Sequence, residues 1–269
     1  MAYFVNYQAS DYLPASDRGL AYGDGLFETL HVRHAQVLSW SMHLQRLLRG
    51  CRKLSIDFPR AEQQQLSDFI HSLAQQNLAP HVIKIVLTRG SGGRGYVPPQ
   101  AITPTIVIST ALFPDYSHQA SYGIKVGFSP IPTNTNAWLA GIKHLNRLEN
   151  VLAKTHLSSN CFEDVMLDAQ GHVIECIQSN LFWFKQGVLY TPLLHKSGVQ
   201  GTMRTELIQK NTQFPLVCGL YKPAVLLDAD EIFVANSLMG IVPVIALAGR
   251  AFPIGDNTRK LQVLMGVFE

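Results

Sequence analysis

Runs of apolar and β-branched residues, four to eight long and bounded by Gly, Pro, Asn, Asp or Ser, mark strands along most of the chain. They fall at 3–7, 26–32, 36–40, 82–88, 105–111, 123–128, 163–167, 173–176, 181–184, 188–191, 232–235 and 241–247. Between them the period changes to that of a helix. Ser41 is a candidate N-cap for a helix whose stripe is Leu44, Leu47, Leu48 and Cys51. Leu66, Phe69, Ile70 and Leu73 mark a second helix over 61–76, Thr202 opens a third that runs through Asn211, and 256–267 closes the chain. Leu145, Leu148, Val151 and Leu152 also recur at helical spacing, which predicts a helix with that stripe against a core. The pattern breaks at Phe113-Pro114-Asp115, and a linker over 114–122 is expected there. It would separate an N-terminal domain, 1–113, from a larger C-terminal one, 123–269, that carries Lys143.

The 269 residues suffice for one large or two modest domains, and 47% hydrophobic against 15% charged residues supports a sizeable core. The formal net charge is only +3, with Lys and Arg scattered, which argues against nucleic-acid binding. Cys51, Cys161, Cys176 and Cys218 stand far apart with no CxxC, so no metal site is expected and a reducing compartment is the simpler reading. No signal peptide is evident, and the longest nearly apolar run, 238–249, contains Pro243 and is too short to span a membrane. These features point to a soluble, cytoplasmic protein.

Several residues could carry chemistry. Gly141 precedes Lys143, which is either an ordinary surface lysine or an amine made nucleophilic by desolvation or a nearby cation such as Arg147. Tyr22-Gly23-Asp24-Gly25 is a tight turn. Arg46, off the apolar stripe of its helix, is solvated or reaches an anion. The segment from Arg89 to Tyr96 holds four glycines and two arginines, Arg89 and Arg94. It reads as a flexible hairpin tip or as a loop close to an anionic ligand, and it lacks the ending of a P-loop. Glu175 ends a strand before the polar turn Gln178-Ser179-Asn180, where a solvated carboxylate is the usual case. Gly198 and Gly201 before Thr202 leave room for an anion at the helix start, or for a plain helix N-terminus.

Taken together, these pieces resemble the fold-type IV pyridoxal-phosphate enzymes. The matching stretches are Ser16-Asp17-Arg18-Gly19, Tyr22-Gly23-Asp24-Gly25-Leu26-Phe27-Glu28-Thr29, His43-Leu44-Gln45-Arg46-Leu47, Lys143, Glu175 through Phe182, and Gly201-Thr202-Met203-Arg204. In this order they run through nearly the whole chain. Within the family, the Arg89 to Tyr96 loop, the stretch from Ala140 to Glu149, and Asn236-Ser237-Leu238-Met239 are most similar to the aminodeoxychorismate lyases. One departure is Cys176, which stands where the family often has glycine after the acid.

The resemblance implies an α/β fold of the α+β type, two domains like those of D-amino-acid aminotransferase with pyridoxal 5'-phosphate between them, and a homodimer. It implies Lys143 as the Schiff-base lysine and general base, Glu175 at the pyridine nitrogen, and Arg46 at the phosphate. Thr202, Met203 (through its backbone) and Ser237 would also lie near the phosphate. The implied reaction takes 4-amino-4-deoxychorismate to 4-aminobenzoate and pyruvate, and Arg89, Arg94 and Arg147 are candidates for the two substrate carboxylates. Two other readings remain: a D-amino-acid or branched-chain aminotransferase, and a non-catalytic ligand-binding relative.

Overall fold

The structure is a computed structural model that describes residues 2–267. The chain divides into two compact units. One runs to Pro114 and includes Ile142–Asn146, and the other takes Asp115–Gly141 and the chain from Arg147 onward.

The first unit contains β1 (Ala2–Val5), β2 (Gln8–Ala9), α1 (Arg18–Tyr22), β3 (Gly25–Arg33), β4 (Gln36–Val37), α2 (Trp40–Leu54), α3 (Arg60–Gln75), β5 (His81–Thr88) and β6 (Thr105–Leu112). Its six strands form one antiparallel sheet in the order β2-β1-β6-β5-β3-β4. Alternation along β3 sends Leu26, Glu28, Leu30 and Val32 to one buried face and Phe27, Thr29 and His31 to the other. Helix α2 lies on the Leu26 face, where a Cβ on Gly50 would come within 2.6 Å of the Leu26 side chain. Buried Ile83, Ile85 and Leu87 of β5 and Ile106 and Ile108 of β6 complete that core with Leu47, Leu66 and Ile70. The expected strand over 36–40 shrinks to two residues. Ser39 takes a left-handed φ of 51° and stands at the cap position with no side-chain capping bond to the helix, so α2 begins ahead of Ser41 and Ser41 is not the N-cap.

The second unit contains α4 (Ser117–Tyr122), β7 (Ile124–Phe128), α5 (Leu148–Thr155), β8 (Glu163–Leu167), β9 (Val173–Cys176), β10 (Asn180–Lys185), β11 (Val188–Pro192), α6 (Thr202–Lys210), β12 (Leu216–Gly219), α7 (Ala224–Leu227), β13 (Glu231–Asn236), β14 (Gly240–Leu247), β15 (Arg250–Ala251) and α8 (Asp256–Leu264). Its sheet runs β12-β11-β10-β13-β14-β7-β8-β9, with β15 added on β14. Phe182, Phe184, Phe233, Ile241 and Leu261 fill one core, and Trp183, Val234, Val242, Val244 and Val165 fill another. Strands β10 and β13 are buried on both faces, and the apolar runs at 181–184 and 232–235 read that way. The segment expected as a linker, 114–122, carries α4, which packs on β14, and Asp115 Oδ1 accepts from Ser117 N at 2.9 Å at the helix start.

The stripe predicted from Leu145 to Leu152 has a different fate. The helix begins only at Leu148, because Lys143 and Leu145 spend backbone groups on β3 pairing that a helix would need. Leu148, Val151 and Leu152 do share helical spacing, but they are 69%, 58% and 42% exposed and face no core among the described residues.

Candidate active site

In the first unit, residues 142–146 lie antiparallel to the start of β3. Phe27 N donates to Lys143 O at 2.9 Å and Leu145 N to Gly25 O at 3.0 Å, and His144 bridges Leu26. Asn146 Nδ2 donates to Gly23 O at 2.9 Å. Glycine is required beside this pairing: Gly23 has φ 63°, and a Cβ on Gly25 would meet Leu87 O at 2.5 Å. Gly141 is needed for its φ of 81° rather than for close approach, since a Cβ there would meet nothing nearer than 3.8 Å. The backbone of Lys143 is thus held at its carbonyl, and its half-buried Nζ rests 4.4 Å from the centroid of the Phe27 ring. Lys143 is not on a helix, and Arg147 is the N-cap of α5.

Beside Lys143 the unit buries a charged trio. Arg46 grips Glu28 bidentately, Nε to Oε1 at 2.8 Å and Nη2 to Oε2. His43 Nδ1 lies 2.6 Å from Glu28 Oε2, and all three residues are at most 5% exposed. Burial raises the Glu28 carboxyl, but the charge and hydrogen bonds of Arg46, joined by His43, outweigh it and bring it down to about 2. Burial depresses His43 against the pull of Glu28, with Arg46 and Lys143 adding to the depression, so a neutral ring donates from Nδ1. Glu28 and His43 stood in the matched stretches, but nothing local assigned them to Arg46, because the pairing spans a strand and a helix.

The glycine-rich loop is held from below. Gly90, Gly92, Gly93 and Gly95 all have φ above 70°, and a Cβ on Gly90 would strike Thr103 O. Buried Arg18, which carried no expectation of its own, donates to Gly95 O at 3.1 Å and Tyr96 O at 3.0 Å, and its Nε bonds Asp24 at 3.1 Å. Arg89, expected at a substrate carboxylate, is committed elsewhere. It bonds Asp24 through Nε and Nη2, and it donates to Leu54 O and Ser55 O, the end of α2. Burial raises the Asp24 carboxyl, but Arg89 and Arg18 together hold it below its usual range. Arg94 points from the same loop and is exposed.

The second unit positions Glu175. It is the next-to-last residue of β9, is 5% exposed, and its Oε2 accepts from Val199 N at 2.9 Å and Asn180 Nδ2 at 3.3 Å. Asn180, missed in the sequence, ties this corner together: Nδ2 also reaches Val199 O at 2.9 Å, and Oδ1 accepts from Gly201 N at 3.1 Å. A Cβ on Gly201 would collide with that Oδ1. Cys176 replaces the family's glycine without loss of the turn, its N–H donating to Ser179 O at 2.8 Å. Gly201 caps α6, whose first turn has no capping side chain and no acid, so its N–H groups favour an anion. Thr202 is buried there, and the Met203 side chain packs into the core beside Phe182, leaving its backbone for the helix start. Ser237 sits in the β13–β14 turn, where Asn236 Oδ1 accepts from Leu238 N at 2.9 Å and Met239 N at 2.8 Å.

Residues 25–247 match the family model for class IV amino-transferases. The chain belongs to that family. It is 35% identical to the aminodeoxychorismate lyase of Vibrio harveyi over 97% of this chain and 98% of that one. It is 31% identical to a putative branched-chain-amino-acid aminotransferase of Methanocaldococcus jannaschii, over 91% and 87%. Among solved structures, the 4-amino-4-deoxychorismate lyase of Pseudomonas aeruginosa superposes with a TM-score of 0.92 at 38% identity, covering 97% of both chains. A branched-chain aminotransferase of Thermoproteus uzoniensis, at 22% identity and a TM-score of 0.87 over 100% and 96%, shares the fold. The fold is the fold-type IV one that the resemblance implied.

Proposed function

We propose that this protein is a pyridoxal-phosphate-dependent lyase that converts 4-amino-4-deoxychorismate to 4-aminobenzoate and pyruvate, a step towards folate. The full-length similarity to the Vibrio and Pseudomonas lyases carries the reading, since the aminotransferase relatives share less of the sequence. The donor set fits the cofactor: an amine fixed at its backbone, a buried guanidinium, an uncapped helix start, and a buried carboxylate. Lys143 would hold it covalently through Nζ, Arg46 with Thr202, the Met203 backbone and Ser237 would hold its phosphate, and Glu175 its ring nitrogen.

When bound, pyridoxal phosphate supplies an electron sink for the pair left as a proton departs. Lys143 Nζ, once free of the cofactor, would take that proton from the substrate carbon that bears the amine. The ring C–O bond to the enolpyruvyl group would then break, the group leaving as the enolate and taking a proton from solvent to become pyruvate, while the ring becomes aromatic, which drives the step. The chain's task is therefore position and charge. Glu28 holds the Arg46 fork in one orientation, and Asn180 does the same for Glu175. We assign Arg94 to a substrate carboxylate and leave Arg147 as a second candidate, while Arg89 fastens the loop to α2.

No helix among the described residues is long and apolar enough to cross a membrane. We infer a cytoplasmic homodimer, with exposed Leu148, Val151 and Leu152 of α5 against a second copy, so sedimentation should give twice the chain mass.

The deciding experiment supplies 4-amino-4-deoxychorismate without any 2-oxo acid acceptor and follows pyruvate. Release of pyruvate supports the lyase; turnover that waits for an acceptor makes the protein an aminotransferase. In the same assay Arg94→Ala should keep the visible cofactor absorbance and raise KM, lower kcat, or both. Arg89→Ala should instead lower the melting temperature, because Asp24 and the end of α2 lose their common partner. An Arg94→Ala enzyme with unaltered kinetics would return that side chain to solvent.

A further inference from the structure

The glycine-rich loop is fastened in two different ways. Its base is held by backbone: Arg18 N donates to Gly90 O at 2.9 Å, and Gly92 N donates to Ser16 O at 3.1 Å. Buried Asp17 adds to this, its Oδ2 accepting from Thr88 Oγ1 at 2.8 Å, which in turn accepts from Gly90 N at 3.1 Å. The tip is held by a side chain. Beyond Gly92, the hydrogen bonds that reach the tip from outside the loop, among the described residues, come from the buried Arg18 guanidinium to Gly95 O and Tyr96 O. The same guanidinium lies 4.8 Å from the centroid of the Tyr22 ring, and the Tyr22 and Tyr96 rings stand 5.8 Å apart. Its Nε stays on Asp24. Asp24 belongs to the turn whose Gly23 O and Gly25 O accept from Asn146 Nδ2 and Leu145 N. One side chain therefore links the turn that anchors the Lys143 segment to the loop that carries Arg94, all within the first unit.

We propose that Arg18 is a positioning residue for substrate capture, holding the tip of the loop, and Arg94 with it, in fixed register with the Lys143 segment. This rests on the lyase reading and its assignment of Arg94 to a substrate carboxylate. Gly93 and Gly95, at φ 77° and 73°, give the tip a backbone with much freedom to lose. A Cβ on Gly95 would meet nothing within 4 Å, so packing does not restrain the chain there. The restraint falls to the guanidinium. Its planar fork reaches two carbonyls while Nε stays on Asp24, an arrangement that the single point of an ammonium does not reproduce. With the fork in place the tip is ordered before substrate arrives. Without it, substrate must order the tip as it binds, and that cost appears in KM rather than in kcat.

The test uses the holoenzyme and two variants. Arg18→Lys keeps a buried charge beside Asp24 and is the variant expected to fold; Arg18→Gln removes the charge as well. Limited trypsin digestion, with the cut at Arg94–Gly95 located by mass, reads the order of the tip without turnover. Arg18→Lys should speed that cut and raise KM by about tenfold each, the scale of one charge-assisted hydrogen bond, with kcat and the visible cofactor absorbance near wild type. Arg18→Gln should exceed it in both. The decisive step adds Arg18→Lys to Arg94→Ala. If Arg18 acts through Arg94, the double variant should lose no more kcat/KM than Arg94→Ala alone. An equal further loss in the Arg94→Ala background makes Arg18 a general prop of the fold and overturns the proposal. So does a trypsin rate in Arg18→Lys equal to that of wild type, or normal kinetics in Arg94→Ala. A wild type that releases no pyruvate fails the lyase reading instead, and the trypsin rates still decide whether Arg18 holds the loop.

Discussion

Lys143→Ala is expected to abolish turnover, a loss of ~10³-fold or more, because it removes both the covalent anchor and the general base. The fold should survive. Lys143 meets β3 through its backbone carbonyl, which alanine retains, and the side chain lost is half-buried against Phe27. Loss of that cation–π contact should cost about 0.5–1 kcal/mol. Borohydride treatment of the wild-type holoenzyme, followed by peptide mapping, should mark Lys143, and the same treatment should leave the variant unlabelled. A label on Lys84, the other ammonium against Phe27, would undo the assignment of Lys143.

What the sequence disclosed and what it hid follow from the range of the interactions. The strands over 82–88 and 105–111 were legible because burial on one face leaves a local signature at every second residue. The apolar stripe on α5 was equally legible, but periodicity reports that a face is apolar and not what covers it, so the expected core contact was wrong. The helical spacing from Leu145 carried no sign of a strand-like approach, because nothing in 140–148 records that Lys143 pairs with Phe27 and Leu145 with Gly25, far back in the chain. The same limit hid the grip of Arg46 on Glu28, eighteen residues apart. It also hid the commitment of Arg89 to Asp24, and the three bonds of Asn180 to Glu175, Val199 and Gly201. Residue types announced the chemistry in each case. Their partners were set by tertiary pairing.

The largest effect on stability is expected from Glu28→Gln. Wild type buries Glu28, His43 and Arg46 together, and the carboxylate is the common acceptor of both partners. The amide takes away the negative charge that Arg46 Nε and Nη2 grip. Breaking such a pair from one side typically costs about 3–5 kcal/mol, more than the pair itself contributes over an apolar replacement. The pH dependence gives the effect a sign. The folded Glu28 carboxyl lies at about 2, below its ordinary 4.5, so the unfolded chain takes up this proton first as the solution is acidified. The stabilisation is complete above about 4.5 and is lost as the pH falls towards 2. Denaturant midpoints of wild type and Glu28→Gln should therefore stand far apart at pH 7 and converge in acid, because the neutral amide of the variant contributes no such step. Cofactor affinity should fall alongside, because the guanidinium that meets the phosphate loses the carboxylate that aims it. A gap that stays constant from neutral to acid pH, or no gap at neutral pH, would mean that Arg46 is neutralised by something other than Glu28.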